Sequence, residues 1–215
     1  MRLYLASTSP ARLALLRAAG IEPIVLPSHV DEPAAVARSE AERGPLTPEA
    51  MVQLLARAKA EAVTGRLVEG EPIDGLVVGG DSAFEFDGVV YGKPHTPERA
   101  RARWLAQRGG TGLLHSGHWV IDHRAGAPVR ALGAASVARV TFADDLTDEE
   151  VDAYVSSGEP LEVAGAFTID SLGGPFISRV EGDPSTVVGL SLPTLRRLVR
   201  ELGVEWTALW KSTVL

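Results

Sequence analysis

The sequence predicts a mixed α/β fold, a sheet flanked by helices and carrying hairpins as well as strand–helix alternation. Short apolar runs at residues 3–6 and 75–80 alternate with helical patterns that have clear caps. The pair Asp87-Gly88, between two strand-like stretches, is a strong turn signal and calls for an antiparallel hairpin, which a purely parallel sheet lacks. Finally, 215 residues, 45% of them hydrophobic, can bury a core without staples, as one domain or two tightly joined lobes.

The elements follow in order. Residues 3–6 read as a short buried strand. Ser9 is a good N-cap and Pro10 a good first helical residue; Leu13, Leu16 and Ala19 line the inner face of that helix, and Gly20 ends it. Residues 23–26 read as a second strand. Residues 31–47, polar and containing Pro33, Gly44 and Pro45, read as a loop. Thr47, Pro48 and Glu49 open a long helix, and Gly65, Gly70 and Pro72 mark the loop after it. The strand at 75–80 ends at Asp81. Residues 83–91 make the hairpin, which Gly92-Lys93-Pro94 breaks. Thr96, Pro97 and Glu98 open another helix. Strands at 113–122 and 132–142 are joined around Gly126-Ala127-Pro128. Thr147 and Glu150 form a capping box on a helix that ends near Gly158. Residues 164–174 read as strand and loop, 176–180 as a strand, and 192–202 as the last helix.

Composition narrows the function. The formal net charge is −7 and no segment reads as a basic patch, which argues against a nucleic-acid polymer as partner. A small anion can still be held where a few cations converge. With no cysteine, disulfides, thiolate metal sites and a cysteine nucleophile are excluded. The N-terminal apolar run reaches Ser7 too soon for a signal peptide. No apolar run approaches the roughly 20 residues that cross a membrane, so no membrane partner is expected and the cytoplasm is the expected location.

Several segments carry candidate chemistry, each with a plainer alternative. The free N–H groups of a helix N-terminus bind anions. Ser7, Thr8 and Ser9 add hydroxyls to such a terminus, and Arg12 adds a planar fork suited to phosphate. Alone, this segment is more commonly an ordinary N-cap with a solvated arginine. Asp81, at the end of a buried strand beside Gly79 and Gly80, could activate water or hold a divalent metal, or cap a turn. Lys93, between Gly92 and Pro94, could neutralise a phosphate or be solvated. Lys59, flanked by alanines on a helix, reads alone as a surface residue. His115 and His118 are three apart on a strand and so face opposite ways, a poor metal pair. There is no P-loop, HExxH, GxSxG elbow or dinucleotide-binding glycine fingerprint.

Taken in order, these segments resemble the Maf family. The opening Ala6-Ser7-Thr8-Ser9-Pro10-Ala11-Arg12 is similar to that family's Ala-Ser-x-Ser-Pro-Arg-Arg. Asp31-Glu32, Lys59-Ala60, Gly80-Asp81-Ser82, Gly92-Lys93-Pro94 and Ala164-Gly165-Ala166-Phe167 resemble its later motifs. Glu181-Gly182-Asp183-Pro184 and the following Ser185 to Leu190 resemble the last. The resemblance covers essentially the whole chain. It implies a two-lobed, inosine-triphosphatase-like mixed sheet with a nucleotide cleft between the lobes. It implies hydrolysis of nucleoside triphosphates, including modified ones, to monophosphate and pyrophosphate with a divalent cation, Mg²⁺ or Mn²⁺. It assigns Asp81 as the catalytic carboxylate, Ser7, Thr8, Ser9, Arg12, Lys59 and Lys93 to the substrate, and Glu32 with Asp81 to the metal. A homodimer is the assembly that analogy suggests.

The chain departs from the family pattern in four places. Ala11 replaces the first arginine, so Arg12 acts alone. Ser82 replaces a threonine and keeps its hydroxyl. Gly112 stands where a histidine is common, with His115 nearby. Asp170 replaces a Gln or Glu expected near the substrate, so it is assigned to substrate binding on the base side. The competing reading is a non-catalytic nucleotide-binding regulator of cell division on the same fold. Such a protein would need the cations but not Asp81.

Overall fold

The computed structural model describes residues 1–210, the side chain of Ala125 excepted. Strand β1 (Leu3–Leu5) leads into helix α1 (Pro10–Ala18), whose Ser9 cap accepts from the Arg12 N–H. After β2 (Ile24–Val25) come α2 (Glu32–Arg43) and α3 (Pro48–Glu61). The hairpin β3 (Leu67–Val68) and β4 (Glu71–Pro72) precedes β5 (Leu76–Phe86) and β6 (Val89–Tyr91). Then follow α4 (Pro97–Gln107), β7 (Thr111–Asp122), β8 (Arg130–Phe142) and α5 (Asp148–Ser156). The chain continues through β9 (Ile177–Glu181), α6 (Pro184–Val188) and α7 (Leu192–Glu201). No helix among the described residues is long and apolar enough to cross a membrane.

The main sheet has seven strands in the order β2-β1-β5-β7-β8-β9, with β6 also paired to β5. β1 runs parallel to β2 and β5, while β6 and β9 run antiparallel to β5 and β8. The sheet is therefore mixed, as the Asp87-Gly88 turn requires; Phe86 and Val89 face each other across it.

The structure corrects four expectations. Residues 32–43 form a helix, not a loop. Asp31 Oδ1 accepts the Ala34 N–H at 3.0 Å, Pro33 sits in the tolerant first turn, and Gly44 at φ 85° stops the helix. No α2 residue is buried, so apolar periodicity cannot reveal it. The loop at 65–72 contains a small hairpin. The strand at 75–80 does not end at Asp81 but runs on to Phe86; Leu76 to Asp81 are all buried, and beyond them Ala83, Phe84 and Phe86 remain buried. Residues 164–174 hold 3₁₀ turns rather than a strand, since Gly165 and Ala166 both take positive φ, 75° and 66°.

The chain divides into two compact units. One comprises Met1–Asp81, Ser116–Ser136 and the residues from Gly189 on; the other comprises Ser82–His115 and Val137–Val188. In the first, the strand alternation sends Leu3, Leu5, Leu76 and Val78 to one face, against Leu16 of α1 and Leu195 and Leu198 of α7. Tyr4 and Val77 go to the other face, against Ala60 and Val63 at the end of α3. Both faces are covered, which is why these strands read as unbroken apolar runs. The core of the second unit is aromatic: Phe84, Trp104, Phe142 and Phe167 meet edge to face at centroid distances of 5.0–5.9 Å. There the Trp104 indole N–H donates to the Ala166 carbonyl at 2.7 Å, which fixes the left-handed pair Gly165-Ala166.

Candidate functional site

Within the first unit, five of the residues singled out in the sequence lie in one hydrogen-bonded and ion-paired group. Ser7 follows β1 and sits at the entrance to α1. Its Oγ accepts from the Ser9 N–H at 3.2 Å and from Arg12 Nη1 at 3.1 Å. Both lone pairs of the hydroxyl are thus engaged, and its proton remains available to donate. Arg12 lies in the first turn of α1 but points inward and is only 8% exposed. Its Nε donates to the Gly189 carbonyl at 2.7 Å. Burial pulls its pKa down, against the pull of Asp81 and Glu32, which favour the charged form.

Lys59 is the centre of the group. Its Nζ contacts Asp81 Oδ1 at 2.6 Å and Glu32 Oε1 at 2.7 Å. Burial pushes the Asp81 carboxyl pKa up, Lys59 and Arg12 pull it back down, and Glu32 adds a small upward push. The structure therefore joins Glu32, Lys59, Asp81, Arg12 and Ser7 through hydrogen bonds, ion pairs or direct electrostatic influence. A lysine between alanines reads in the sequence as a surface residue, yet Lys59 is 8% exposed.

The local sequence explains that placement. A Cβ added at Gly79 would lie 2.1 Å from the Ala56 carbonyl and 2.9 Å from the Ala60 Cβ. One added at Gly117 would lie 2.2 Å from the Val52 carbonyl. Glycines on β5 and β7 and alanines on α3 thus let the helix backbone lie directly on the strands. Lys59, beside Ala60 on that helix, is brought to Asp81 two residues beyond Gly79. Gly80 has a separate role: a Cβ there would press on the Arg12 side chain, at 3.1 Å from Nε.

The remaining predicted residues are placed differently. Ser9 caps α1, and Thr8 is exposed. Lys93 belongs to the second unit, where it is exposed and pairs with Glu162 at 3.4 Å. Asp170 also belongs to that unit, exposed in the 168–173 loop. The two histidines have separate partners. His115 Nε2 meets Glu85 Oε2 at 3.0 Å. His118 Nε2 accepts the Ser191 N–H at 2.7 Å, and its Nδ1 meets the Ala134 carbonyl at 3.2 Å. A neutral imidazole protonated on Nδ1 satisfies both contacts.

Sequence reasoning missed two groups. One is the Gly189 carbonyl, the acceptor for Arg12. Gly189 stands within the last motif quoted above, but its φ of 116° and the partner of its carbonyl are visible only in the structure. The other is Glu159. Its carboxylate accepts from Tyr154 Oη at 2.9 Å, Thr168 Oγ1 at 2.5 Å and Ser171 Oγ at 2.6 Å. It accepts also from the backbone N–H groups of Leu172 and Gly173 at 3.3 and 3.2 Å. A lone glutamate before a proline gives no hint of this in sequence.

The family model described as "Maf-like protein" matches residues 2–202. A protein of Leifsonia xyli subsp. xyli named nucleoside triphosphate pyrophosphatase is 77% identical over 210 residues, covering 98% of this chain and 97% of that relative. Proteins with the same name from Salinispora tropica and Nocardia farcinica are each 51% identical. Their alignments cover 98% and 97% of this chain, and 88% and 96% of the relatives. With the family model spanning nearly its whole length and relatives this similar, the chain belongs to the Maf-like protein family.

Proposed function

We propose that the protein hydrolyses nucleoside triphosphates between the α- and β-phosphates, releasing a nucleoside monophosphate and pyrophosphate. The observation that carries this reading is the group formed by the buried Arg12, Lys59 and Asp81 with the half-exposed Glu32, beside the N-terminus of α1. The name shared by the relatives at 77% and 51% identity supports it. A regulator that only senses nucleotide would have no use for a buried carboxylate beside the two cations.

The roles follow from charge. Breaking the anhydride moves negative charge onto the departing pyrophosphate, and fixed cations in a water-poor site stabilise it. Arg12 and Lys59 supply that charge, and the Ser7 and Ser9 hydroxyls with the α1 N–H groups bind phosphate oxygens. Thr8 adds a hydroxyl to the same turn. Asp81 orients the attacking water and takes its proton, a task that its raised pKa favours. The family resemblance assigns Lys93 to the phosphates and Asp170 to the base.

The donor set also fits a divalent cation. Asp81 Oδ1 and Glu32 Oε1 converge on the Lys59 ammonium, at 2.6 and 2.7 Å, so the two carboxylates would hold a divalent ion only with Lys59 Nζ drawn aside. Mg²⁺ and Mn²⁺ suit oxygen donors, and Mg²⁺ is commonly held by one or two carboxylates plus phosphate and water. Among the described residues no group of three or more His, Cys, Asp or Glu converges, so phosphate and water would complete the shell. Such an ion would polarise a phosphoryl oxygen. The formal charges of Arg12, Lys59, Asp81 and Glu32 cancel, so this group alone brings no surplus positive charge to a triphosphate. A divalent cation arriving with the nucleotide would supply that surplus.

Product analysis tests the reaction. Incubation with triphosphates and Mg²⁺ is expected to yield monophosphate and pyrophosphate by ion-exchange chromatography; diphosphate plus orthophosphate would mean that a different bond is cut. Arg12→Ala is expected to lower kcat/KM by about one to two orders of magnitude, since a charged hydrogen bond contributes roughly 1.5–3 kcal/mol. Because the same side chain binds the Gly189 carbonyl, the melting temperature should fall as well. Steady-state kinetics on the folded variant checks this, and unchanged kinetics would remove Arg12 from the substrate.

A further inference from the structure

His118 is fully buried on β7. Alternation along the strand sets its direction. A Cβ at Gly117 would meet the Val52 carbonyl of α3, so that side of the strand faces α3. His118 and Val120 point the other way, and Val120 belongs to the core shared with Leu16 of α1 and with Leu195 and Leu198 of α7. An imidazole in apolar company costs stability unless both ring nitrogens are satisfied. Here they are: Nδ1 donates to the Ala134 carbonyl of β8 at 3.2 Å, and Nε2 accepts the Ser191 N–H at 2.7 Å.

Ser191 is the N-cap of α7, its Oγ accepting the Thr194 N–H at 3.2 Å. Two residues earlier, the Gly189 carbonyl accepts from Arg12 Nε at 2.7 Å. Leu190, between them, is fully buried. It shares Gly80 with the arginine, since a Cβ on Gly80 would lie 3.5 Å from Leu190 Cδ1 and 3.1 Å from Arg12 Nε. The burial of Leu190 fixes the depth of this stretch, but apolar contact is non-directional and does not aim the neighbouring carbonyl. A hydrogen bond is directional, and His118 grips the backbone N–H that follows. Ser7, Arg12, Gly80, His118 and Ser191 all belong to the first compact unit.

We propose that His118 is a positioning residue for phosphate recognition. By holding the Ser191 N–H it fixes the Gly189 carbonyl, and that carbonyl, with Ser7 Oγ, sets the plane of the Arg12 guanidinium. This rests on the reading of Arg12 as a phosphate ligand in a nucleoside triphosphate pyrophosphatase. His118 touches no substrate atom; it acts through Arg12.

The test separates the two ring nitrogens. In His118→Gln the amide reaches the place of Nε2, where its oxygen can accept the Ser191 N–H. In His118→Asn the shorter amide reaches only the place of Nδ1. His118→Phe fills the space with no acceptor, carries the same expectation as His118→Asn, and stands in for it if that variant does not fold. Arg124→Ala is the control: Arg124 Nη2 donates to the Leu202 carbonyl at 3.1 Å, so its loss loosens the opposite end of α7. Melting temperatures are measured, with kcat and KM for the best of ATP, GTP, CTP, UTP and dTTP in Mg²⁺. His118→Asn is expected to lower kcat/KM about tenfold and His118→Gln to keep it within about threefold. Added to Arg12→Ala, His118→Asn should cost less than about twofold more, because the guanidinium that it aims is gone. Arg124→Ala should lower the melting temperature and leave kcat/KM alone. Unchanged kinetics in His118→Asn, equal losses in the Asn and Gln variants, or the full loss repeated in the Arg12→Ala background would each make His118 merely structural and overturn the proposal. So would a loss of the same size in Arg124→Ala. Unchanged kinetics in Arg12→Ala would remove Arg12 from the substrate, and this proposal with it. Absence of pyrophosphate release from every triphosphate would fail at the earlier step, the pyrophosphatase reading itself.

Discussion

Replacing Asp81 by Asn is expected to lower kcat by roughly 10²-fold or more, the range for loss of a general base, with the protein still folded. The volume barely changes, and the amide oxygen can still accept from Lys59. Lys59 would not be left without a counter-charge, because Glu32 Oε1 stays 2.7 Å from Nζ. Burial already disfavours the Asp81 charge, so a neutral side chain there should carry little stability penalty. The melting temperature should therefore stay near its original value. KM should change less than kcat, since Arg12 and Lys59 remain. Kinetics and calorimetry on the same preparation decide the matter, and a turnover close to that of the unmodified protein would make Asp81 a purely structural residue.

The second large effect is expected on stability. Gly79→Ala would put a methyl group 2.1 Å from the Ala56 carbonyl, a contact with backbone rather than with a flexible side chain. Helix α3 must then lift from β5, at an expected loss of about 3 kcal/mol, the upper part of the usual range for overpacking. Against a typical total of about 5–15 kcal/mol, that is a large fraction. Lys59 rides on the same helix, so activity of the folded remainder should fall too. Gly65→Ala is the matched control, with nothing within 4 Å and an ordinary φ, and should be near neutral. Urea titrations of the two variants give the comparison. Equal midpoints would mean that the helix tolerates the displacement.

Much of the fold was legible because local chemistry and burial agreed. Ser9-Pro10, Thr47-Pro48, Thr96-Pro97 and the Thr147/Glu150 box cap helices where the sequence placed them. Asp87-Gly88 turned the hairpin as expected. Helix α2 was illegible for the opposite reason: with no buried residue, it leaves no apolar stripe. The positive φ values at Gly165 and Ala166, which no strand would hold, are stabilised by Trp104 about sixty residues away, a contact that local patterns cannot encode. The candidate site divides the same way. Asp81 and Arg12 stood out by residue type and position, but the burial of Lys59 depends on Gly79 and on Ala56 and Ala60, which permit close approach. Glu159 was invisible because its five donors come from both sides of it in the chain.

The division of the chain has a consequence for how it is made. The second unit is nested inside the first, occupying Ser82–His115 and Val137–Val188. The ribosome therefore delivers β1, α1, α3 and the first half of β5 long before the residues that close over them. Leu3, Leu5, Leu76 and Val78 pack against Leu190, Leu195, Leu198 and Val199, which leave the tunnel more than a hundred residues after Val78. Until then that face of the nascent sheet lacks α7 and keeps only its earlier partners, such as Leu16 of α1, and at a synthesis rate of about 5–20 residues per second that interval lasts several seconds. The nested unit, by contrast, has its aromatic core complete by Val187. A stalled chain released before Gly189 would thus carry a finished inner unit and an apolar outer one, a ready target for chaperones and proteases.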